Sequence, residues 1–225
     1  MTTFRRPLVI NMKNYLEIGG PDSLKLATEA KDIADNHKIE IVLAPPQNAL
    51  LALSMKSDIP LICQHVDNSP PGASTGFIVP EIAKSCGAIG SLINHSEHRT
   101  DITTAQLLIH RLRRLNMISI VCARNIEEIE LLSRFSPDFV AIEPPELIGT
   151  GIAISKANPS IIVNSVKVAK QNSSRTGILC GAGIVEKSDV EKALDLGVDG
   201  ILVASGIVKA IPWSKKILEL GSAMK

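Results

Sequence analysis

Aromatic side chains are scarce in this chain: one tryptophan, one tyrosine and four phenylalanines among 225 residues. Hydrophobic residues still make up 45%, so aliphatic side chains must build the core. An excess of charge is also missing. The 24 basic and 23 acidic residues leave a net charge of +1, which gives neither nucleic acid nor an anionic membrane surface a field to bind. No apolar run approaches the ~20 residues that span a bilayer. The opening MTTFRRPLVINMK has too short an apolar stretch for a secretory signal, so a cytoplasmic protein is expected. The four cysteines, Cys63, Cys86, Cys122 and Cys180, are widely spaced and form no CxxC pair. Three of them sit in apolar, strand-like runs, as reduced core cysteines of a cytosolic protein would.

What is present is a regular alternation. Short apolar runs, 8–10, 39–44, 60–63, 88–93, 118–121, 139–142, 177–180 and 200–203, have the length and β-branched content of buried strands. Helical stretches separate them. Pro21-Asp-Ser23 can start a helix through Ala34, Asn48–Met55 forms a short one, and Pro80–Ser85 another. Asp101 or Thr103 can cap a helix to Leu115, with Leu107, Leu108, Leu112 and Leu115 on one stripe. Asn125 can cap the next, and Asn158-Pro159, Ser188 and Trp213 begin three more. No hydrophobic hairpin and no domain-sized linker interrupts the pattern, which implies right-handed parallel βαβ units. Eight strands in slightly under ~250 residues is the size of a closed (β/α)₈ barrel, here a single α/β domain over residues 1–225. A doubly wound sheet would carry G-x-G-x-x-G after its first strand. That strand is followed instead by Asn11-Met-Lys-Asn-Tyr15, and Gly181-Ala-Gly183 is a lone G-x-G after a later one.

Polar and glycine-rich residues follow the C-terminal ends of these runs: Asn11 and Lys13, Gln64, Asn94 and His95, Glu143, Gly181–Gly183, and Ala204–Gly206. In a barrel those ends share one rim, so positions more than a hundred residues apart would meet there. Glu143 is followed by a stiff Pro144-Pro145 and a loose Gly149-Thr150-Gly151, the make-up of a base under a hinged segment. The glycine-rich loops offer backbone N–H groups that can hold a phosphate. A base beside such a cradle, with Lys13 and His95 opposite, suits proton abstraction next to a carbonyl. No step of that chemistry requires a metal or a redox cofactor. Each residue alone also has an ordinary explanation. Lys13 could be a solvated loop lysine, His95 a satisfied strand-end histidine, Glu97 and Arg99 a surface ion pair, and Tyr15, Trp213 and Met55 packing. His95 and His98 have the spacing of a metal pair but no third ligand in register.

Taken together, Asn11-Met-Lys13, Gly72–Gly76, Asn94–Arg99, Ala141–Gly151 and Ile201–Gly206 resemble the triosephosphate isomerase family in its short archaeal form. The five motifs stand in family order and spacing over nearly the whole chain. The resemblance implies the (β/α)₈ fold known as the TIM barrel, with a closed parallel eight-stranded sheet. It also implies interconversion of dihydroxyacetone phosphate and glyceraldehyde 3-phosphate through an enediolate, without cofactor or metal. Carried over by position, and as the family's own roles, Glu143 matches the base and His95 the electrophile. Lys13 matches the stabilising cation, Asn11 the residue that positions substrate, and Glu97 the acid that supports the lysine. Ile148, Gly149, Gly183, Ala204 and Ser205 match the backbone phosphate clamp, and Cys122 a cysteine near the site. Thr75 matches a residue that reaches a neighbouring subunit, implying a homodimer or homotetramer.

The chain also departs from the family pattern. Pro144-Pro145-Glu146 replaces the usual Pro-Val-Trp, Cys180–Gly183 the usual Tyr-Gly-Gly-Ser, and Ala204-Ser205 a pair of glycines. The tyrosine and serine that latch the closed lid elsewhere are missing. Two other functions fit barrel chemistry on a sugar phosphate: a Schiff-base aldolase using Lys13, or an epimerase. A non-catalytic phosphometabolite sensor is a third.

Overall fold

The computed structural model describes residues 4–144 and 153–224. Seven parallel strands form one sheet: β1 Leu8–Asn11, β2 Ile41–Ala44, β3 Gly90–Ile93, β4 Ile118–Ala123, β5 Phe139–Ile142, β6 Gly177–Cys180 and β7 Gly200–Val203. Their order is β2-β1-β7-β6-β5-β4-β3, leaving β2 and β3 at the two ends.

Pro60–Cys63 joins those ends. Leu43 N–H donates to the Pro60 carbonyl at 2.9 Å, and Ile62 N–H donates back to the Leu43 carbonyl at 2.8 Å. On the other side Ile89 N–H donates to Leu61 at 2.8 Å, and Cys63 N–H donates to Gly90 at 2.9 Å. The expected strand is thus present as a seam of single bridges, Leu43 to Leu61 and Cys63 to Ser91, instead of a continuous ladder. Proline at its first position has no N–H to donate, and the run is short. With the seam in place the sheet closes as a TIM barrel.

Along each strand successive side chains face opposite ways. Val9, Val42, Ile120, Ala141, Leu179 and Leu202 belong to one buried cluster, the barrel interior. Their neighbours Leu8, Ile10, Leu43, Val121, Val140 and Ile178 belong to the second, between sheet and helices. The same two-residue period carries Val9 on to Asn11, Ala141 on to Glu143, and Leu179 on to Gly181, which places those three at the interior's C-terminal mouth.

The helices are α1 Pro21–His37, α2 Leu50–Ser54, α3 Pro80–Ser85, α4 Ile102–Arg114, α5 Ile126–Ser133, α6 Ile154–Ala157, α7 Pro159–Asn172, α8 Lys187–Asp195, α9 Ser205–Val208 and α10 Trp213–Gly221. Asp101 caps α4 by accepting from Thr104 N–H at 2.9 Å, and Asn125 caps α5 by accepting from Glu128 N–H at 2.9 Å. Each such cap contributes roughly 1 kcal/mol. The buried stripe of α4 is Ala105, Leu108, Ile109 and Leu112. Leu107, expected on that stripe, is 50% exposed, because positions 105, 108, 109 and 112 follow the 3.6-residue period and 107 lies off it. Met55 is likewise 77% exposed and not part of the core. Among the described residues no helix is long and apolar enough to cross a membrane.

Candidate active site

Asn11 ends β1 and is buried. Two residues on, Lys13 has φ 51°, in the left-handed region that costs a non-glycine residue about 1–2 kcal/mol and that concentrates at functional sites. The strain is supported from both sides. Lys13 N–H donates to Asn11 Oδ1 at 3.0 Å, and its carbonyl accepts from Gln64 Nε2 at 2.9 Å. Gln64 donates also to the Ala44 carbonyl at 3.1 Å, so the seam segment ties together the loops after β1 and β2. The Lys13 ammonium meets Glu97 Oε1 at 2.6 Å.

Asn94, just after β3, is the second strained residue, with φ 62°. Its amide donates to the Cys122 carbonyl at 2.9 Å and accepts from Thr100 N–H at 3.1 Å. Arg99 donates to the Asn94 carbonyl at 3.2 Å, and its other arm pairs with Glu128 at 2.5 Å. Glu128, pinned also by Arg124, therefore braces the turn that presents His95. Glu97 N–H donates to His95 Nδ1 at 3.2 Å. The other ring nitrogen, Nε2, faces Glu143 Oε1, 3.3 Å away. Asn11 Nδ2 approaches the same His95 nitrogen to 3.5 Å.

Glu143 follows β5 and is 3% exposed. Its N–H donates to the Ala123 carbonyl at 2.8 Å, which continues the β4–β5 ladder by one residue. Among the described residues its Oε2 has no hydrogen-bond partner. A buried, unpaired carboxylate oxygen is costly and is available to receive a proton. Cys122 lies against Glu143. Burial first, and then the neighbouring carboxylate, push its thiol well above the ordinary range.

Asn11, Lys13, His95 and Glu143 border a cavity of about 70 Å³ whose far wall is Gly183, Ala204 and Ser205. A second cavity of about 410 Å³ opens on the other side of Lys13 and His95, lined by Gln64, His65, Glu97 and His98. The model of the triosephosphate isomerase family matches residues 7–219. A triosephosphate isomerase of Methanothermus fervidus is 41% identical over 220 residues, covering 97% of this chain and 99% of that protein. One of Cenarchaeum symbiosum is 45% identical over 217 residues, covering 96% and 97%. One of Methanocaldococcus jannaschii is 42% identical over 213 residues, covering 95% and 97%.

The chain belongs to the triosephosphate isomerase family.

Several residues singled out by resemblance to triosephosphate isomerase stand around one cavity: Asn11, Lys13, His95, Glu143, Gly183, Ala204 and Ser205. Glu97 reaches it through Lys13. Thr75 does not border it and is exposed on the loop between Gln64 and Val79. Ile148 and Gly149, with most of the Pro144–Gly151 segment, lie outside the described residues. Arg99 does not pair with Glu97, as a surface pair would, but with Glu128. His95 and His98 diverge: His95 faces Glu143, while His98 stacks on His65 with ring centroids 3.8 Å apart. Tyr15, set aside in the sequence as packing, borders both cavities. Its signal was its position, two residues beyond Lys13 in a chain with one tyrosine. Glu128 had a local signal in its i,i+4 spacing from Arg124, but none for Arg99, which is 29 residues away in sequence.

Proposed function

We propose that this chain interconverts dihydroxyacetone phosphate and D-glyceraldehyde 3-phosphate through an enediolate. The observation that carries the reading is the facing pair of Glu143 and His95, 3.3 Å apart at the cavity. In this reading a Glu143 oxygen takes the proton from the carbon beside the carbonyl and returns it to the adjacent carbon. His95 Nε2–H hydrogen-bonds the carbonyl oxygen and meets the negative charge that develops there. Lys13 adds a positive charge on the same side, and Asn11 positions the reacting carbons. Backbone N–H groups at Gly183, Ala204 and Ser205 hold the phosphate, joined by Ile148 and Gly149 when the following segment closes. The geometry supports this over a Schiff-base aldolase, because Glu97 engages the Lys13 amine at 2.6 Å and a Schiff base needs that nitrogen free.

The same reading makes the active form a homodimer or homotetramer. The 410 Å³ cavity beside Lys13, His95 and Glu97 is open to solvent, and the protruding loop of a second copy, with Thr75 and Phe77 exposed, would fill it. The deciding experiment is a coupled assay on purified, metal-stripped protein. Turnover of both triose phosphates is expected. No turnover with intact binding of a triose phosphate would overturn the enzyme reading in favour of a sensor.

A further inference from the structure

One cation, Lys13, borders the cavity, and a second, Lys209, lies against the ring of Tyr15, which borders it too. Lys13 is matched by Glu97 at 2.6 Å. Lys209 is not matched: among the described residues no carboxylate pairs with it, and its ammonium lies over the Tyr15 ring, 4.8 Å from the centroid. Lys209 follows α9 directly, and its N–H donates to the Ser205 carbonyl at 3.1 Å. The turn that brings Ser205 to the cavity thus also brings this charge up against Tyr15, a wall of the same cavity. Tyr15 borders the cavity together with Ser205 and Gly206 and is partly buried, whereas Lys209 is exposed. An aromatic face holds a cation by its quadrupole without neutralising it. The field of the ammonium therefore remains available to an incoming anion, which a carboxylate partner would cancel.

We propose that Tyr15 and Lys209 form a phosphate-side specificity pair: the ring walls the cavity and orients an uncompensated ammonium toward an entering phosphoryl dianion. The inference rests on the triose phosphate reading of the site. Neither residue takes part in the proton transfers. The pair selects and captures substrate.

The test titrates inorganic phosphate by calorimetry against the wild-type chain, Lys209→Gln, Lys209→Arg and Tyr15→Leu, with melting temperatures to confirm folding. Lys209→Gln is expected to weaken phosphate binding about two- to fivefold, the range of one exposed charge–charge contact, and to flatten its dependence on ionic strength. Lys209→Arg is expected to restore both. In turnover KM should rise by a similar factor, with kcat moving less. Tyr15→Leu combined with Lys209→Gln should lose less than the product of the single losses, since the charge acts through the ring. Unchanged phosphate affinity and salt slope in Lys209→Gln would overturn the proposal, as would independent losses in the double variant. A wild-type chain that binds phosphate but turns over no triose phosphate would refute the isomerase reading alone, because the phosphate titrations do not depend on catalysis.

Discussion

A Cβ added to Gly181 would fall 2.7 Å from Cγ of Glu143 and 3.2 Å from the Ile142 carbonyl. The glycine after β6 thus leaves the space in which the carboxylate rests, and no L side chain can share it without moving Glu143. Gly181→Ala is expected to shift the carboxylate, and a displacement near 1 Å is enough to cost about 10²-fold in kcat. Steady-state kinetics alongside thermal melting separates this from unfolding. Wild-type kcat in a folded Gly181→Ala variant would show that the position of the carboxylate does not matter.

Glu143→Asp withdraws the carboxylate by one methylene, and Glu143→Gln removes its basicity. Both are expected to lower kcat by about 10²–10⁴, the usual worth of a positioned general base, while KM changes much less. A kcat within a few-fold of wild type in Glu143→Gln would assign the proton transfer elsewhere.

Acid should destabilise the protein through two buried carboxylates. Burial works to raise the Glu128 carboxyl, but hydrogen bonds from Arg99 and Arg124 outweigh it and hold it below its ordinary 4.5. Asp189 is likewise pushed up by burial and then held below 3.8 by Lys156 and by the N–H groups of Glu186 and Val185. A carboxyl depressed in the folded state contributes stability that is complete above its unfolded value and is lost as pH falls through its folded one. Urea midpoints should accordingly be flat down to about pH 4.5 and fall below it. Glu128→Gln should cost about 1–3 kcal/mol at neutral pH and soften that fall. An unchanged acid limb in Glu128→Gln would remove Glu128 from the account.

Native thiol chemistry should be confined to one residue. Burial pushes Cys63 and Cys180 up to about 12, and Cys122 is buried beside Glu143. Only Cys86 is partly exposed. Alkylation at pH 8 followed by peptide mass analysis should find Cys86 modified first and the other three only after unfolding, since the thiolate is the reactive form. Rapid labelling of Cys122 in the folded protein would contradict its burial.

Periodicity along the chain determined the alternating strands and helices, because the two-residue repeat of Val9, Asn11 and the 3.6-residue repeat of α4 are local properties of a backbone. Seven of the eight expected strands and the two caps at Asp101 and Asn125 were legible for the same reason. The tertiary structure decided the rest. It turned Pro60–Cys63 into a seam of bridges, paired Arg99 with Glu128 in place of Glu97, drew Lys209 over Tyr15, and set a glycine against Glu143. Those relationships depend on where separate strands end in space, and electrostatics and steric exclusion act through space, so spacing along the chain could not encode them.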